Sequence, residues 1–470
     1  MTTARRSADR ETNGKMQNPP PKAAVNNTST RTNNESALLN FINKTLAPLV
    51  LMLFVPNLVI ALWYVTRHLD GSYLAFCKYL ANQGIITGML NIWAGVKLFS
   101  PLAMAIIAGY ALFALILMNI LPGKTAYGPV SPKGHTPVYK DNGFFCYAVT
   151  MITFAILTYA LKQYGYSTSI VYDIFDEILV NLNGFSLVFC LVLYFKGRFW
   201  PSTQEFSSSG NFIFDYYWGT ELYPRIFGFD VKVFTNCRFG MTVWPLLVLV
   251  YAVKSYELHG FVDSIFVSTF LQMFYFTKFF WWEAGYMSTI DIMLDRAGFY
   301  ICWGCLVFVP GLYASVSLYL VNHPVHLGWM LTAGLLTLGS LSIVVNYLAD
   351  WQKQIVRRND GKCLVWGQKP EIIRATYRLE SGEERNSLLL ASGWWGLSRH
   401  FHYIPEIGLA LCWTLPAGFD NIMPYSYWIV LVILLMHRSF RDEDKCSRKY
   451  GKFWVEYCKR VPYRVIPCLF

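Results

Sequence analysis

Charge is scarce in this chain: only 15% of its 470 residues are Asp, Glu, Lys or Arg, against roughly a quarter in an ordinary soluble domain. With 54% hydrophobic and 17% aromatic residues, that scarcity excludes a soluble globular or disordered protein and indicates an integral membrane protein. Cysteine is present but unpatterned. The 11 cysteines contain no paired zinc spacing, and Cys302 and Cys305, a CxxC, sit inside an apolar run without a second pair. Small buried side chains account for them, so neither a metal site nor a disulfide framework is expected. A Walker or Rossmann glycine fingerprint is also missing, so any nucleotide site must be built in another way. No strand-period segment or fixed repeat stands out, which leaves helices. The net charge of +11 does not require nucleic acid, because the basic residues crowd beside apolar spans, where positive-inside topology accounts for them.

Residues 1–40 are polar and rich in Asn, Thr, Ser and Pro, and they read as a disordered cytoplasmic tail. Apolar runs of spanning length then appear near 46–66, 98–121, 144–163, 178–196, 241–255, 261–282, 298–321 and 326–349, with two more near 403–419 and 422–437. The basic loop after residue 350 and the basic C-terminal tract both belong on the cytoplasmic side, which requires an even number of spans before and after the loop. The fold expected is an all-α polytopic bundle of about ten transmembrane helices, spanning 41–470, with a cytoplasm-facing pocket.

Two tracts rich in charge and aromatics bracket the last spans: LLLASGWWGLSRHFHY at 388–403 and HRSFRDEDKCSRKYGKFWVEY at 437–457. Read as helix, Trp395, Arg399 and His402 share one face, and Arg438, Asp442, Cys446 and Tyr450 share another. Lys353 and Arg357, one turn apart, suit a phosphate, although an ordinary positive-inside flank explains them equally well. Between the sixth and seventh spans, Glu283, Asp291 and Asp295 stand near Tyr286. A juxtamembrane turn is the bland reading of these groups. The sharper one is an acid at a buried pocket, its carboxyl or phenol kept protonated by desolvation.

The tracts LLLASGWWGLSRHFHYIPEIG and HRSFRDEDKCSRKYGKFWVEYCKRVPYRVIP resemble the sterol reductase family, as do NDGKCLVWGQKP at 359–370, TKFFWWEAGYMSTIDIMLDRAGFY at 277–300 and ELYPRIFGFDVKVFTNCRFG at 221–240. The likeness is greatest to the branch acting on the delta-7 bond of 7-dehydrocholesterol-type sterols; delta-14 reductases and the membrane domain of lamin B receptor are other members. The resemblance implies an NADPH-dependent oxidoreductase of the endoplasmic reticulum membrane with cytoplasmic termini, a sterol substrate and a lipid surround, and it leaves room for association with other sterol-biosynthesis enzymes. It implies a cofactor site in 350–470 made by Lys353, Arg357, Leu390, Trp395, Arg399, His402, Tyr403, Arg438, Asp442, Cys446, Ser447, Arg448, Lys449, Tyr450 and Tyr457. The expected catalytic group is Glu283, as the acid or as the residue that holds it, followed by Asp291, Asp295 and Tyr286.

The sequence also departs from the family pattern. His402 replaces an asparagine, Pro405 and Glu406 replace Gly-Asp, and Cys305 and Val316 stand where the family carries Asp and Gln. These changes keep three alternatives open: reduction of a different ring bond such as delta-14, a catalytically silent sterol-binding scaffold, and a membrane methyltransferase.

Overall fold

The structure, a computed structural model, describes residues 37–380 and 382–470. Residues 1–36 of the expected tail lie outside the described residues, while 37–40 open the first helix instead. In chain order the long helices are α1 (Ala37–His68), α2 (Pro101–Ile120), α3 (Gly143–Gln163), α4 (Phe175–Phe199), α5 (Val233–His259), α6 (Asp263–Trp281), α7 (Phe299–Asn322), α8 (Gly328–Arg358), α9 (Tyr403–Thr414) and α10 (Ser426–Tyr450). All ten expected spans are helical, but only seven are long and apolar enough by themselves to cross a membrane. Helix α6 carries Asp263, Gln272 and Lys278, α9 is 12 residues long, and α10 turns polar after Met436.

Local chemistry sets the helix ends. Ser100 caps α2 by accepting from the Ala103 N–H at 3.3 Å, with Pro101 in the first turn where its missing donor costs nothing. Gly260 and Gly451, at φ +71° and +51°, end α5 and α10 in backbone that side chains with a Cβ avoid. Helix α8 has 31 residues and is therefore roughly 46 Å long. A hydrocarbon slab of about 30 Å covers only part of it, and the turns carrying Asp350, Lys353 and Arg357 extend past the apolar stretch.

Besides a short π-helical stretch at Ile42–Leu46 in α1, two longer stretches are wound more widely, as π-helix: Val233–Gly240 at the start of α5 and Phe299–Tyr313 in α7. They pack together so tightly that a Cβ on Gly240 would lie 2.8 Å from the Cys305 carbonyl oxygen. Their altered pitch turns Asn236, Tyr300 and Cys305 towards the interior, the usual consequence of π-windings near sites. The bundle centre is built on Trp244, whose ring meets Phe276, Tyr313, Trp413 and Tyr427 edge-on at centroid separations of 4.9–6.2 Å. Its Nε1 donates to Gln272 Oε1 at 2.8 Å, and Gln272 Nε2 donates to Ser268 and Ser317, so the polar atoms of Trp244 and Gln272 are satisfied inside this apolar core.

Short antiparallel hairpins decorate the helices, which periodicity did not signal: β1 (Lys124–Tyr127) with β2 (Val138–Asp141), a two-residue pair at Arg225–Ile226 and Phe229–Asp230, and β3 (Ile372–Arg378) with β4 (Glu384–Leu390). The helix expected through Leu388–Tyr403 is replaced by the end of β4, a single turn at Trp394–Leu397, and an extended Ser398. Gly393, at φ +62°, starts that turn. The Arg399 and His400 N–H groups then donate to the carbonyls of Tyr463 and Arg464 at 3.0 and 2.9 Å. Those bonds to the C-terminal tail take the donors a helix would have used. By contrast, Arg438, Asp442, Cys446 and Tyr450 do share one continuous helix, α10.

Candidate active site

One cavity of about 680 Å³ runs between α5–α10 and the link from α6 to α7, within the range of small-molecule sites. Its two ends differ chemically. At one end stand Lys353, Arg357, Trp395, His402, Tyr403, Arg438 and Asp442; at the other, Trp244, Phe308, Val309, Tyr427 and Leu431. Tyr286, Asp291, Tyr300 and Cys305 line the same space, whereas Val316 is fully buried elsewhere in α7.

The polar end is assembled from α8, the turn at 394–402 and α10. Asn346, Asp350, Lys353 and Arg357 all face the cavity and recur at three- and four-residue steps, giving α8 a polar stripe. Lys353 Nζ sits 3.5 Å from the centroid of the Trp395 ring, a cation held on a π-face. Trp395 is fixed in turn by Nε1 donating to the Ala349 carbonyl at 2.7 Å. Arg357 Nε donates to the Leu388 carbonyl at 3.3 Å, so its side chain is aligned by β4. Burial pushes the His402 imidazole down to about 3 and that of His400 to about 4, so both rings are neutral near pH 7. His402 Nδ1, His400 Nε2 and Arg438 Nε are buried with no hydrogen-bond partner among the described residues. Buried polar atoms are normally satisfied, which marks this end as shaped for a polar ligand.

Other residues of the expected cofactor set lie off the cavity wall. Leu390 packs behind Trp395 against Val356. Arg399 donates to Glu443 at 2.9 Å and to the Val461 carbonyl at 2.7 Å, tying the tail to α10. Cys446 and Tyr450 pack beneath the β3–β4 hairpin, Tyr450 donating to Ser387 Oγ at 3.4 Å and Lys449 Nζ lying 4.0 Å from the Tyr377 ring. Arg448 donates to the Asp444 carbonyl, and Ser447 faces a shallow groove with Trp454. Tyr457 donates to the Trp395 carbonyl at 3.4 Å and so buttresses the indole from behind.

The four expected acids separate sharply. Glu283 is buried and forms a two-pronged ion pair with Arg238, whose Nη2 also donates to Asn142 Oδ1 at 3.0 Å. It does not reach the cavity wall. Asp295 is likewise closed off, paired with Arg441, while Lys232 Nζ caps the Ile292 and Asp295 carbonyls at 2.7 and 2.6 Å. Asp291 lines the cavity but is paired with Arg438. Tyr286 lines it with its hydroxyl accepting from Asn236 Nδ2 at 3.1 Å. The Asn236 amide is itself oriented by Thr235 Oγ1. Burial, and then the nearby Asp291 charge, push the phenol well above its usual value, so it keeps its proton.

Lys278, Asn346 and Glu406 also line the cavity, and the sequence reading did not place them in the site. A lysine and an asparagine inside apolar helices were the available signal, because intramembrane polar groups are costly without a role.

Residues 45–470 match the model of the ergosterol biosynthesis ERG4/ERG24 family. The chain is 51% identical over 425 residues to the 7-dehydrocholesterol reductase of Arabidopsis thaliana, covering 90% of this chain and 96% of that protein. It is 37% identical over 387 residues to the 7-dehydrocholesterol reductase of Xenopus laevis, covering 80% of this chain and 81% of that one. It is 33% identical over 424 residues to the Delta(14)-sterol reductase of Methylotuvimicrobium alcaliphilum, covering 90% and 94%.

Proposed function

The chain belongs to the ergosterol biosynthesis ERG4/ERG24 family of sterol reductases, and on that premise we propose that it is an NADPH-dependent reductase of a sterol ring double bond, the delta-7 bond of 7-dehydrocholesterol-type sterols. In this reading the enzyme lies in the endoplasmic reticulum membrane with both termini cytoplasmic, and residues 350–470 form the cofactor end. The observation that carries it is the single cavity with a basic, aromatic end and an apolar end, room for a charged reductant and a lipid side by side.

The residues present suit a phosphorylated dinucleotide. Lys353 and Arg357 are the cations for its 2′-phosphate, Trp395 and Tyr403 the aromatic faces, and Asp442 and the unpartnered His402 Nδ1 and Arg438 Nε the polar contacts. When bound, the dinucleotide supplies the hydride.

The protein's own residues supply the rest. Tyr286 gives its phenolic proton to one alkene carbon; its oxygen already accepts from Asn236, so the O–H points free for donation. The rings of Phe279, Tyr300 and Tyr313 on the cavity wall face the positive charge that grows on the neighbouring carbon. Glu283 is the group that holds the acid: anchored by Arg238, it fixes the link three residues before Tyr286. The pairs Asp291–Arg438 and Asp295–Arg441 fasten the rest of that link to α10.

The test is reconstitution. Purified protein in detergent or nanodiscs, given NADPH and 7-dehydrocholesterol, should yield the ring-saturated product by mass spectrometry. Conversion of a delta-14 substrate in place of the delta-7 one would reassign the bond. Titration with S-adenosylmethionine, which should not bind, excludes the methyltransferase, and turnover of any sterol excludes the silent scaffold.

A further inference from the structure

Where the two ends of the cavity meet, α9 presents a carboxylate that the proton chemistry above does not use. Glu406 lines the cavity one helical turn beyond Tyr403. Its Oε2 accepts from Asn346 Nδ2 at 3.1 Å, and Asn346 Oδ1 accepts from Lys278 Nζ at 2.5 Å. A second bond, Asn346 Nδ2 to the His402 carbonyl at 2.9 Å, locks the amide. The ammonium and the carboxylate are thus held on either side of one asparagine, opposite charges inside a bundle where an isolated ion would be expensive.

Asn346 Nδ2 donates to Glu406 Oε2, and the Tyr275 hydroxyl, also on the cavity wall, hydrogen-bonds to the same carboxylate. A carboxylate has about four lone-pair sites, so two donors leave it room to accept a third from a ligand in the cavity. The walls beyond it are Trp244, Phe308, Val309 and Leu431. A ligand seated against those walls must be apolar over most of its length, with one hydrogen-bond donor at the end nearest the polar stripe.

We propose that Glu406, positioned by Asn346 and Lys278, is the receptor for the hydroxyl group of the sterol, its carboxylate accepting the O–H. The ionised carboxylate is acceptor-only and the hydroxyl is the one donor a simple sterol carries. This contact directs the hydroxylated ring to the junction and the hydrocarbon tail into the apolar end. It makes the enzyme selective for free sterols over their ethers and esters, since these bring no donor and leave a buried charge unpaired. The inference rests on the reductase reading above.

The test compares a free delta-7 sterol with its methyl ether in wild-type, Glu406→Gln and Glu406→Asp proteins, measuring KM and kcat for each together with direct NADPH binding. For the free sterol, Glu406→Gln should raise KM roughly ten- to a hundredfold with NADPH affinity unchanged. For the ether, already poor in wild type, KM should scarcely move, so the preference between the two collapses. Glu406→Asp, which keeps the charge but withdraws it by one methylene, should retain part of the preference and guards against misfolding of the glutamine variant. Equal losses on both substrates, or no loss on either, would overturn the assignment. Wild-type protein that binds NADPH but reduces neither sterol would instead defeat the reductase reading itself.

Discussion

Lys353 Nζ lies 3.5 Å from the centre of the Trp395 ring, and both side chains form the wall of one cavity whose far end is apolar. The cation is therefore positioned before any ligand arrives, with the indole held by the Ala349 carbonyl and buttressed by Tyr457. Preorganisation of this kind lowers the ordering cost of binding a polyanion.

One turn further along α8, Arg357 is aligned by the Leu388 carbonyl. A charge-assisted contact is worth roughly 1.5 to 3 kcal/mol, so Arg357→Ala should weaken NADPH by about one to two orders of magnitude. Affinity for NADH, which lacks the 2′-phosphate, should scarcely change. Calorimetric titration of both dinucleotides checks this; equal weakening would make Arg357 a general positive flank.

Removing the phenolic proton leaves the shape of the site intact. Tyr286→Phe should lower kcat by about 10²–10⁴, the usual contribution of a general acid, with the KM for sterol and NADPH binding close to wild type. A loss confined to KM would mean that Tyr286 packs against the sterol without protonating it.

Glu283 and Arg238 are each 1% exposed. Glu283→Gln strands a buried guanidinium, which costs about 3–5 kcal/mol, so the main effect should be a lower unfolding temperature, with reduced turnover following from the loosened link. The paired change Arg238→Met with Glu283→Leu removes both charges and should recover much of the stability but not the activity. Differential scanning fluorimetry beside a turnover assay separates the two.

His400 is held neutral by burial, its value lowered from 6.5 to about 4. The unfolded chain then takes up a proton that the folded one refuses. The contribution of this residue to stability is complete above pH 6.5 and is lost as the pH falls towards 4. Wild-type melting temperatures should decline over that window, and His400→Gln should flatten the decline; an unchanged slope would show that His400 does not drive it.

Much of this was legible in the sequence, and the failures have physical causes. Scarce charge and long apolar runs indicated the helical membrane bundle, and the four-residue spacing of Arg438, Asp442, Cys446 and Tyr450 correctly implied one helix. The same logic failed at Trp395–His402, because bonds from Arg399 and His400 to the tail, over 60 residues away in sequence, outweigh local helix preference. Glu283 drew notice as a carboxylate beside an apolar span, but nothing near it in sequence reveals Arg238, 45 residues upstream. Tyr286 gained its standing only from geometry, as it reaches the cavity with a free phenolic proton. Helix α8 held a signal in plain view, the stripe from Asn346 to Arg357, of which only the basic half was read.

The most direct test of the central claim follows the two hydrogens that saturate the ring. Purified protein would be incubated with 7-dehydrocholesterol and NADPH deuterated at its transferable position, and the product analysed by mass spectrometry and NMR. We expect one deuterium from the cofactor on one carbon of the former double bond and one hydrogen from solvent on its neighbour, with Tyr286→Phe slowing both together. A folded protein that binds NADPH yet leaves the sterol unreduced, or a product without the cofactor's deuterium, would contradict it.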